Sequence, residues 1–125
     1  MIIDTDVLIW YMRGNENART VIDNTGGFSI SVITYMELVQ GMRNKRELNS
    51  LRKALYAWEA NILYITEDIS AKAMFYLEQH FLSHSLQIAD ALIGATAVTY
   101  GIEIVTGNHK HYKVLKDVQI KKFKA

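Results

Sequence analysis

Short apolar runs alternate with longer segments of helical periodicity along the whole 125-residue chain. Runs of three or four residues suit strands, whereas apolar residues spaced three and four apart suit helices with one buried face. Because such alternation produces parallel strands covered by helices, we predict an α/β fold, a three-layer α/β/α sandwich around a mostly parallel central sheet. The predicted strands are Met1–Asp4, Phe28–Ser31, Ile62–Ile65, Glu103–Thr106 and Val118–Ile120.

The segments between these strands carry residues that favour helix ends. Ser31 is suited to N-cap the helix after the second strand, and Asp6 or a neighbour is suited to cap the first helix. Gly101 follows a segment that is apolar nearly all round, so this helix should be buried. The predicted helices run from about Asp6 to Met12 and over Asn15–Thr25, Val32–Met42, Arg43–Ala60, Glu67–Phe81 and Ile88–Tyr100.

Composition excludes several classes of protein. Half of the residues are apolar and 22% are charged, which is incompatible with a disordered chain. The length suits a single domain over residues 1–125. The lack of Cys excludes disulfides and thiolate metal sites and fits a reducing compartment, so we expect a cytoplasmic protein. We expect no membrane association, because no uncharged apolar run approaches the roughly 18 residues that a membrane span needs.

Four acidic residues lie in apolar segments that contain no basic residue. Asp4 and Asp6 follow the first predicted strand, while Glu37 and Asp90 are each the only charge in a long apolar stretch. A buried carboxylate without a partner is costly unless it is protonated, paired or bound to a metal. Ligands bind at the carboxyl ends of strands in open α/β sheets, so Asp4, Glu37 and Asp90 could face one crevice there. If they meet, oxygen ligands favour Mg2+, with Mn2+ as a substitute.

Each of these acids also has a purely structural explanation. Asp6 alone could be a helix N-cap, and Asp90 alone could be a first-turn acid favoured by the helix dipole. Glu37 alone could be an exposed residue of a half-buried helix. Three such coincidences in one small chain favour a shared site.

Basic residues are concentrated in two stretches, 43–53 and 110–124, which hold eleven of the 14 Lys and Arg residues. Such clusters attract phosphate backbones, so they are candidates for RNA binding on either side of an acidic site. A solvated helix face and a lysine-rich tail are the simpler interpretation of the same residues. The candidate RNA-binding residues are Arg43, Lys45, Arg46 and Lys110.

Four segments together resemble the PIN domain family, and within it the VapC-type toxins of toxin–antitoxin pairs. They are Ile3–Ile9, Ser31–Leu38 with Gly41, Ala89–Ala97 and Val105–Tyr112, in the family's order and spacing. The resemblance implies an α/β/α sandwich and a metal-dependent ribonuclease that cuts a tRNA or ribosomal RNA loop. It also implies a homodimer and a cognate antitoxin that blocks the site.

The resemblance also assigns roles to individual residues. Asp4, Glu37 and Asp90 fall on the family's three main acidic positions, which implies that they are catalytic and bind the metal. Asn108 falls where many members have a fourth acid, and it is the fourth candidate catalytic residue. Asp6 and Thr106 are candidates for polar groups that support the metal ligands.

Two other functions fit parts of the sequence. Asp4-Thr5-Asp6 after a strand is similar to the nucleophile motif of haloacid-dehalogenase-type phosphotransferases, with Asp4 as the nucleophile. That family also needs a later Lys and an acidic pair, which are not found at suitable places. The third possibility is a non-catalytic RNA-binding module that keeps the PIN fold; intact Asp4, Glu37 and Asp90 argue against it.

Overall fold

A five-stranded sheet forms the centre of the structure, a computed structural model that describes residues 1–83 and 85–125. Its strands are β1 (Ile2–Ile3), β2 (Ser29–Ser31), β3 (Asn61–Leu63), β4 (Ile104–Thr106) and β5 (Ile120–Lys122). They lie in the order β3-β2-β1-β4-β5, and every pairing is parallel. The predicted α/β class with a parallel sheet is therefore confirmed.

Helices connect the strands and begin at residues with suitable caps. The Ser31 hydroxyl accepts a hydrogen bond from the Ile33 amide, as predicted, whereas Asp4 rather than Asp6 is the cap of the first helix. No helix in the described ranges is long and apolar enough to cross a membrane. The helices are α1 (Thr5–Met12), α2 (Glu16–Asp23), α3 (Val32–Gln40), α4 (Lys45–Ala57), α5 (Glu67–His80), α6 (Ile88–Tyr100) and α7 (His109–Tyr112).

Among the boundaries that differ from the predicted ones, two have a clear local cause, and one short helix was not predicted. The helix expected from Arg43 starts at Lys45, because the Asn44 side chain accepts from the Glu47 amide and caps it. The last strand lies two residues further on than predicted, since Asp117 adopts a left-handed turn conformation (φ 75°) before it. Helix α7 was not predicted, because a single turn is too short to show helical periodicity.

Alternate strand residues face opposite sides of the sheet and create two hydrophobic cores. Ile2 and Ile104 pack with residues of α5 and α6, and Ile3 and Val105 pack with residues of α1, α2 and α4. This period-2 alternation is what the pleat of a strand imposes. Helices therefore cover both faces, and the predicted three layers are confirmed.

The carboxyl ends of β1 and β4 bring distant polar residues together. The two strands pair in parallel, with Ile3 opposite Val105, and the Asp4 amide donates to the Val105 carbonyl at 3.0 Å. Asp4 and Thr106 therefore leave the sheet side by side. Helix α7, which follows β4, contacts α6, and His111 Nδ1 of α7 lies 3.3 Å from Asp90 Oδ2 in the first turn of α6.

Gly94 allows α6 to pack closely on the segment before β5. A Cβ atom added at Gly94 would lie 2.6 Å from Leu115 Cδ1. Leu115 is buried, so this side chain has little space into which to move. We expect Gly94→Ala to lower the free energy of unfolding by about 1 kcal/mol, because overpacking of about 1–3 kcal/mol outweighs a gain in helix propensity of about 1 kcal/mol.

Urea unfolding measures this change, and Gly41→Ala is the matched control. A Cβ at Gly41 would meet nothing closer than 3.5 Å, and its φ of −80° suits alanine, so its stability should change little. A Gly94→Ala protein as stable as the wild type would contradict the close packing of α6.

Candidate active site

Asp4 is a buried carboxylate held between two elements of the fold. Its side chain is 4% exposed, and Oδ1 accepts from the Thr5 amide at 2.8 Å. Oδ2 accepts from the Thr106 hydroxyl at 2.7 Å, and that hydroxyl in turn accepts from the Asn108 amide at 2.9 Å. The chain from Asn108 through Thr106 fixes the orientation of Asp4.

Burial makes the charged form of Asp4 unfavourable. It raises the pKa of Asp4 from 3.8 to about 6, and the neighbouring charge of Asp6 raises it further, while hydrogen bonds from Thr106 and Thr5 lower it only in part. No cationic side chain among the described residues forms a salt bridge with Asp4. The site therefore favours a bound positive charge.

Asp6 is partly buried at the same end of β1. Its Oδ2 accepts from the Gly107 amide at 2.9 Å, whereas Oδ1 is buried and has no hydrogen-bond partner in the part of the chain that the structure describes. Burial raises the pKa of Asp6 as well. A Cβ at Gly107 would lie 2.6 Å from Asp6 Oδ2, so only glycine allows the amide to approach this closely.

Glu37 lies on α3 and is exposed, so the expectation of a buried carboxylate is wrong for this residue. Its Oε1 accepts from the Thr5 hydroxyl at 2.7 Å, and the Thr34 hydroxyl lies 3.0 Å from the same Thr5 oxygen. Thr5, between the two acids Asp4 and Asp6, therefore connects Glu37 to the end of β1. Sequence reasoning missed Thr5, although its place within Asp4-Thr5-Asp6 was a signal.

Asp90 lies in the first turn of α6 and has a structural and a site-related contact. Its Oδ2 accepts from the Gln87 amide at 3.3 Å as part of a capping box, a structural role in the first turn that the sequence did not predict beyond the preference of the helix dipole for an acid there. The same oxygen lies 3.3 Å from His111 Nδ1, and the Asp90 side chain is only 15% exposed. Both explanations of Asp90 therefore apply.

Tyr112 is an aromatic residue that the sequence analysis did not select. It lies in α7 and is fully buried. Burial raises the pKa of its hydroxyl, and the charges of Asp4, Asp90 and Asp6 raise it further. Three of the four acids therefore lie within electrostatic range of this hydroxyl.

The described residues do not form a closed metal cage. In ranges 1–83 and 85–125, no three acidic or histidine side chains lie close enough together to hold one ion, so the predicted meeting of Asp4, Glu37 and Asp90 around a metal is not formed. Mg2+ does not need such a cage, because it commonly binds through one or two carboxylates, several waters and substrate phosphates. The unpartnered Asp6 Oδ1 beside the buried Asp4 is the kind of donor that fits this ion.

Asn108 contributes to the site through its backbone. Its amide donates to Thr106 Oγ1, and its side chain is exposed at the start of α7 without making a capping hydrogen bond. The structure therefore assigns a supporting contact to Asn108 and Thr106. Catalytic action by Asn108 stays a prediction.

A groove of about 990 Å³ between α1, α3 and α4 opens beside Glu37. Arg43 and Arg46 line it. The Arg43 guanidinium donates to Glu47 at 2.8 Å, so only part of its hydrogen-bonding capacity is left for another partner. Lys45 is exposed next to the groove, and Lys110 is exposed on α7, on the Asp90 side of the site. Two arginines that were missed, Arg13 and Arg19, also line the groove.

The pKa of Asp4 predicts how stability depends on pH. Since about 6 in the folded state lies above 3.8 in the unfolded state, the folded state binds the proton more tightly. The contribution of Asp4 to the free energy of unfolding of the metal-free protein should therefore rise by up to about 3 kcal/mol as the pH falls from 7 towards 4. In Asp4→Asn this gain should be absent, and at pH 7.5 the variant should be more stable than the wild type.

Thermal unfolding in EDTA at pH 5 and pH 7.5 measures the difference between wild type and Asp4→Asn. Glu78→Gln, at an exposed position of α5, is the control and should follow the wild type at both pH values. A difference between wild type and Asp4→Asn that does not change with pH would contradict the buried, unpaired state of Asp4.

Known proteins resemble this chain over most of its length. The PIN domain family matches residues 1–116. Ribonuclease VapC10 of Mycobacterium tuberculosis is 30% identical over 125 residues, which cover 95% of this chain and 90% of that protein. Ribonuclease VapC1 of Methanocaldococcus jannaschii is 28% identical over 97% of this chain and 85% of its own length.

Solved structures share the fold. A toxin–antitoxin complex from Klebsiella pneumoniae is 28% identical, with a TM-score of 0.79 over 94% of this chain and 93% of that chain. VapBC2 from Rickettsia felis, bound to a DNA fragment from their promoter, has a TM-score of 0.82 at 17% identity over 98% of both chains, which supports the fold alone. The match over residues 1–116, with the acids at the sheet edge, shows that this chain belongs to the PIN domain family.

Proposed function

We propose that this chain is a Mg2+-dependent endoribonuclease and the toxin of a toxin–antitoxin pair. The observation that carries the proposal is the buried Asp4 beside Asp6 at the carboxyl end of β1. Asp90 lies near it around Tyr112, and Glu37 is connected to it through Thr5. Membership of the PIN family and relatives named ribonuclease VapC support the same activity.

The acidic residues have different proposed roles, which follow from how deeply each of them is buried. Asp4 and Asp6 would hold Mg2+ together with waters and substrate phosphates, while Asp90 and the exposed Glu37 would act on its bound waters and on the substrate side of the ion. Bound Mg2+ supplies charge neutralisation at the scissile phosphate and acidification of water.

Neighbouring groups fix these carboxylates before any ion arrives. Thr106 and the Thr5 amide orient Asp4, and the Gln87 amide orients Asp90. Ligands that are held in place in this way lose less entropy on binding.

The groove beside Glu37 is the proposed path of the RNA. Arg13, Arg19 and Arg46 line it, and guanidinium groups bind phosphates through two parallel hydrogen bonds. Side chains reach bases most easily in single-stranded loops, so a loop of a structured RNA, in tRNA or ribosomal RNA, is the proposed substrate.

We also propose a cognate antitoxin as a protein partner and a homodimer as the assembly. The Klebsiella pneumoniae neighbour is a toxin–antitoxin complex, and this supports the antitoxin. Large apolar side chains on and just after α5 are exposed and offer a surface for self-association: Met74, Phe75, Phe81 and Leu82.

The geometry disfavours a phosphotransferase that uses Asp4 as its nucleophile. The haloacid-dehalogenase family also needs a later Lys, and no cationic side chain among the described residues forms a salt bridge with Asp4. The non-catalytic RNA-binding alternative makes a different prediction from the nuclease, because it requires binding without cleavage.

Replacement of single acids tests the nuclease. We expect Asp4→Ala, Glu37→Ala and Asp90→Ala each to lower Mg2+-dependent RNA cleavage by about 100-fold or more, because even residues that only orient a ligand cost about 10–100-fold when removed. The assay uses purified tRNA and ribosomal RNA, with circular dichroism to check the fold. Sequencing of RNA cleaved in cells without the antitoxin identifies the substrate.

Glu78→Ala, at an exposed site on α5, is the matched control and should cleave like the wild type. EDTA should stop cleavage, and Mn2+ should restore it. Full activity in any of the three variants removes that residue from the mechanism, and wild-type cleavage in EDTA refutes the metal dependence.

The groove predicts a salt-dependent RNA affinity. Neutralising Lys45 and Arg46 together should weaken RNA binding to the Asp4→Ala protein, and each lost phosphate contact should reduce the slope of log affinity against log salt by about 0.7. Lys72→Gln on α5, outside the groove, is the control. An unchanged slope would assign Lys45 and Arg46 to a solvated helix face.

A further inference from the structure

Tyr112 has a buried hydroxyl that lacks a hydrogen-bond partner among residues 1–83 and 85–125. The residue is fully buried, in contact with the core formed by α5 and α6. A buried polar group is nearly always hydrogen-bonded, and one that is not destabilises the fold. Phenylalanine would fill the same space without this cost, so the hydroxyl needs an explanation other than packing.

The surroundings of the hydroxyl are acidic. The negative charges of Asp4, Asp90 and Asp6 all raise the pKa of this hydroxyl, and Asp4 is near enough for Tyr112 to lower the pKa of its carboxyl in turn. A tyrosine among carboxylates keeps its proton, because a phenolate would be repelled by their charge. The group is therefore a permanent donor placed next to acceptors.

Asp4 has capacity for this donor. Its Oδ1 accepts one hydrogen bond from the Thr5 amide, and its Oδ2 accepts one from the Thr106 hydroxyl. A carboxylate offers about four acceptor positions, so both oxygens can accept another bond. Tyr112 is near enough to Asp4 to serve as this donor.

We propose that Tyr112 is a positioning residue, whose hydroxyl donates to the Asp4 carboxylate once a divalent cation is bound and holds it in its ligand orientation. The inference rests on the proposed function, since it assigns a role within that site. The structure shows this hydroxyl buried and without a hydrogen-bond partner among the described residues, so it is available to Asp4.

A second buried tyrosine provides a matched control. Tyr76 is also buried, but its hydroxyl donates to the Lys116 carbonyl at 3.1 Å. Removing that hydroxyl breaks an existing bond, whereas removing the Tyr112 hydroxyl breaks none with the residues that the structure describes. Tyr76→Phe should therefore lower the stability of the protein but leave Mn2+ binding unchanged, whereas Tyr112→Phe should leave stability unchanged or raise it but weaken Mn2+ binding.

The experiment compares wild type, Tyr112→Phe and Tyr76→Phe by thermal unfolding in EDTA, by Mn2+ titration calorimetry and by RNA cleavage across Mn2+ concentrations. Tyr112→Phe should keep or raise the metal-free Tm, and its Kd for Mn2+ should rise on the order of tenfold, the size of a bond to a charged group. Its cleavage rate should fall at low Mn2+ and recover at saturation. Tyr76→Phe should lose about 4 °C in Tm and bind Mn2+ normally.

Two results would overturn the inference while the proposed function stands. One is a Tyr112→Phe protein that binds Mn2+ and cleaves RNA like the wild type. The other is a Tyr112→Phe protein whose metal-free Tm falls as far as that of Tyr76→Phe, which would make the hydroxyl structural. A wild-type protein that neither binds Mn2+ nor cleaves RNA overturns the proposed function, and the role of Tyr112 with it.

Discussion

The hydrogen bond between Thr106 and Asp4 is the contact on which the site depends. It joins residues 102 positions apart, at the ends of two paired parallel strands, and it is buried. An ionised carboxylate is stable at such a buried place only if several donors hydrogen-bond to it. The hydrogen bonds that Asp4 accepts offset only part of the cost of burying its charge. The fold thus keeps a carboxylate in an unfavourable state at one edge of the sheet.

This unfavourable state explains the rest of the acidic region. Glycine at 107 allows a backbone amide to approach Asp6, and the first turn of α6 supplies an amide to Asp90. Each donor stabilises one carboxylate oxygen but leaves others free, so the region keeps its affinity for a cation. A fully satisfied network would be a more stable fold and a poorer binding site.

The sequence predicted the architecture more completely than the site. Strand–helix alternation predicted the parallel sheet and both cores, since burial of apolar faces determines both, but it missed α7, which is only one turn long. Charge patterns selected Asp4, Glu37 and Asp90, whereas Tyr112 carries no charge and resembled an ordinary core aromatic. The hydrophobic pattern of the sequence indicates which residues are buried, and its charges indicate which buried groups are costly. Hydrogen-bond partners such as Thr5 and Gly107 depend on three-dimensional contacts, which neither pattern shows.

The strand β5 closes one side of the sheet with lysines at 121 and 122, both of them exposed. An open strand edge has unpaired amides and carbonyls that readily add strands from other chains. Charged side chains along that edge repel a second copy and make such stacking unfavourable. The two lysines therefore make edge-to-edge association of folded copies unfavourable, a role that does not require contact with a nucleic acid.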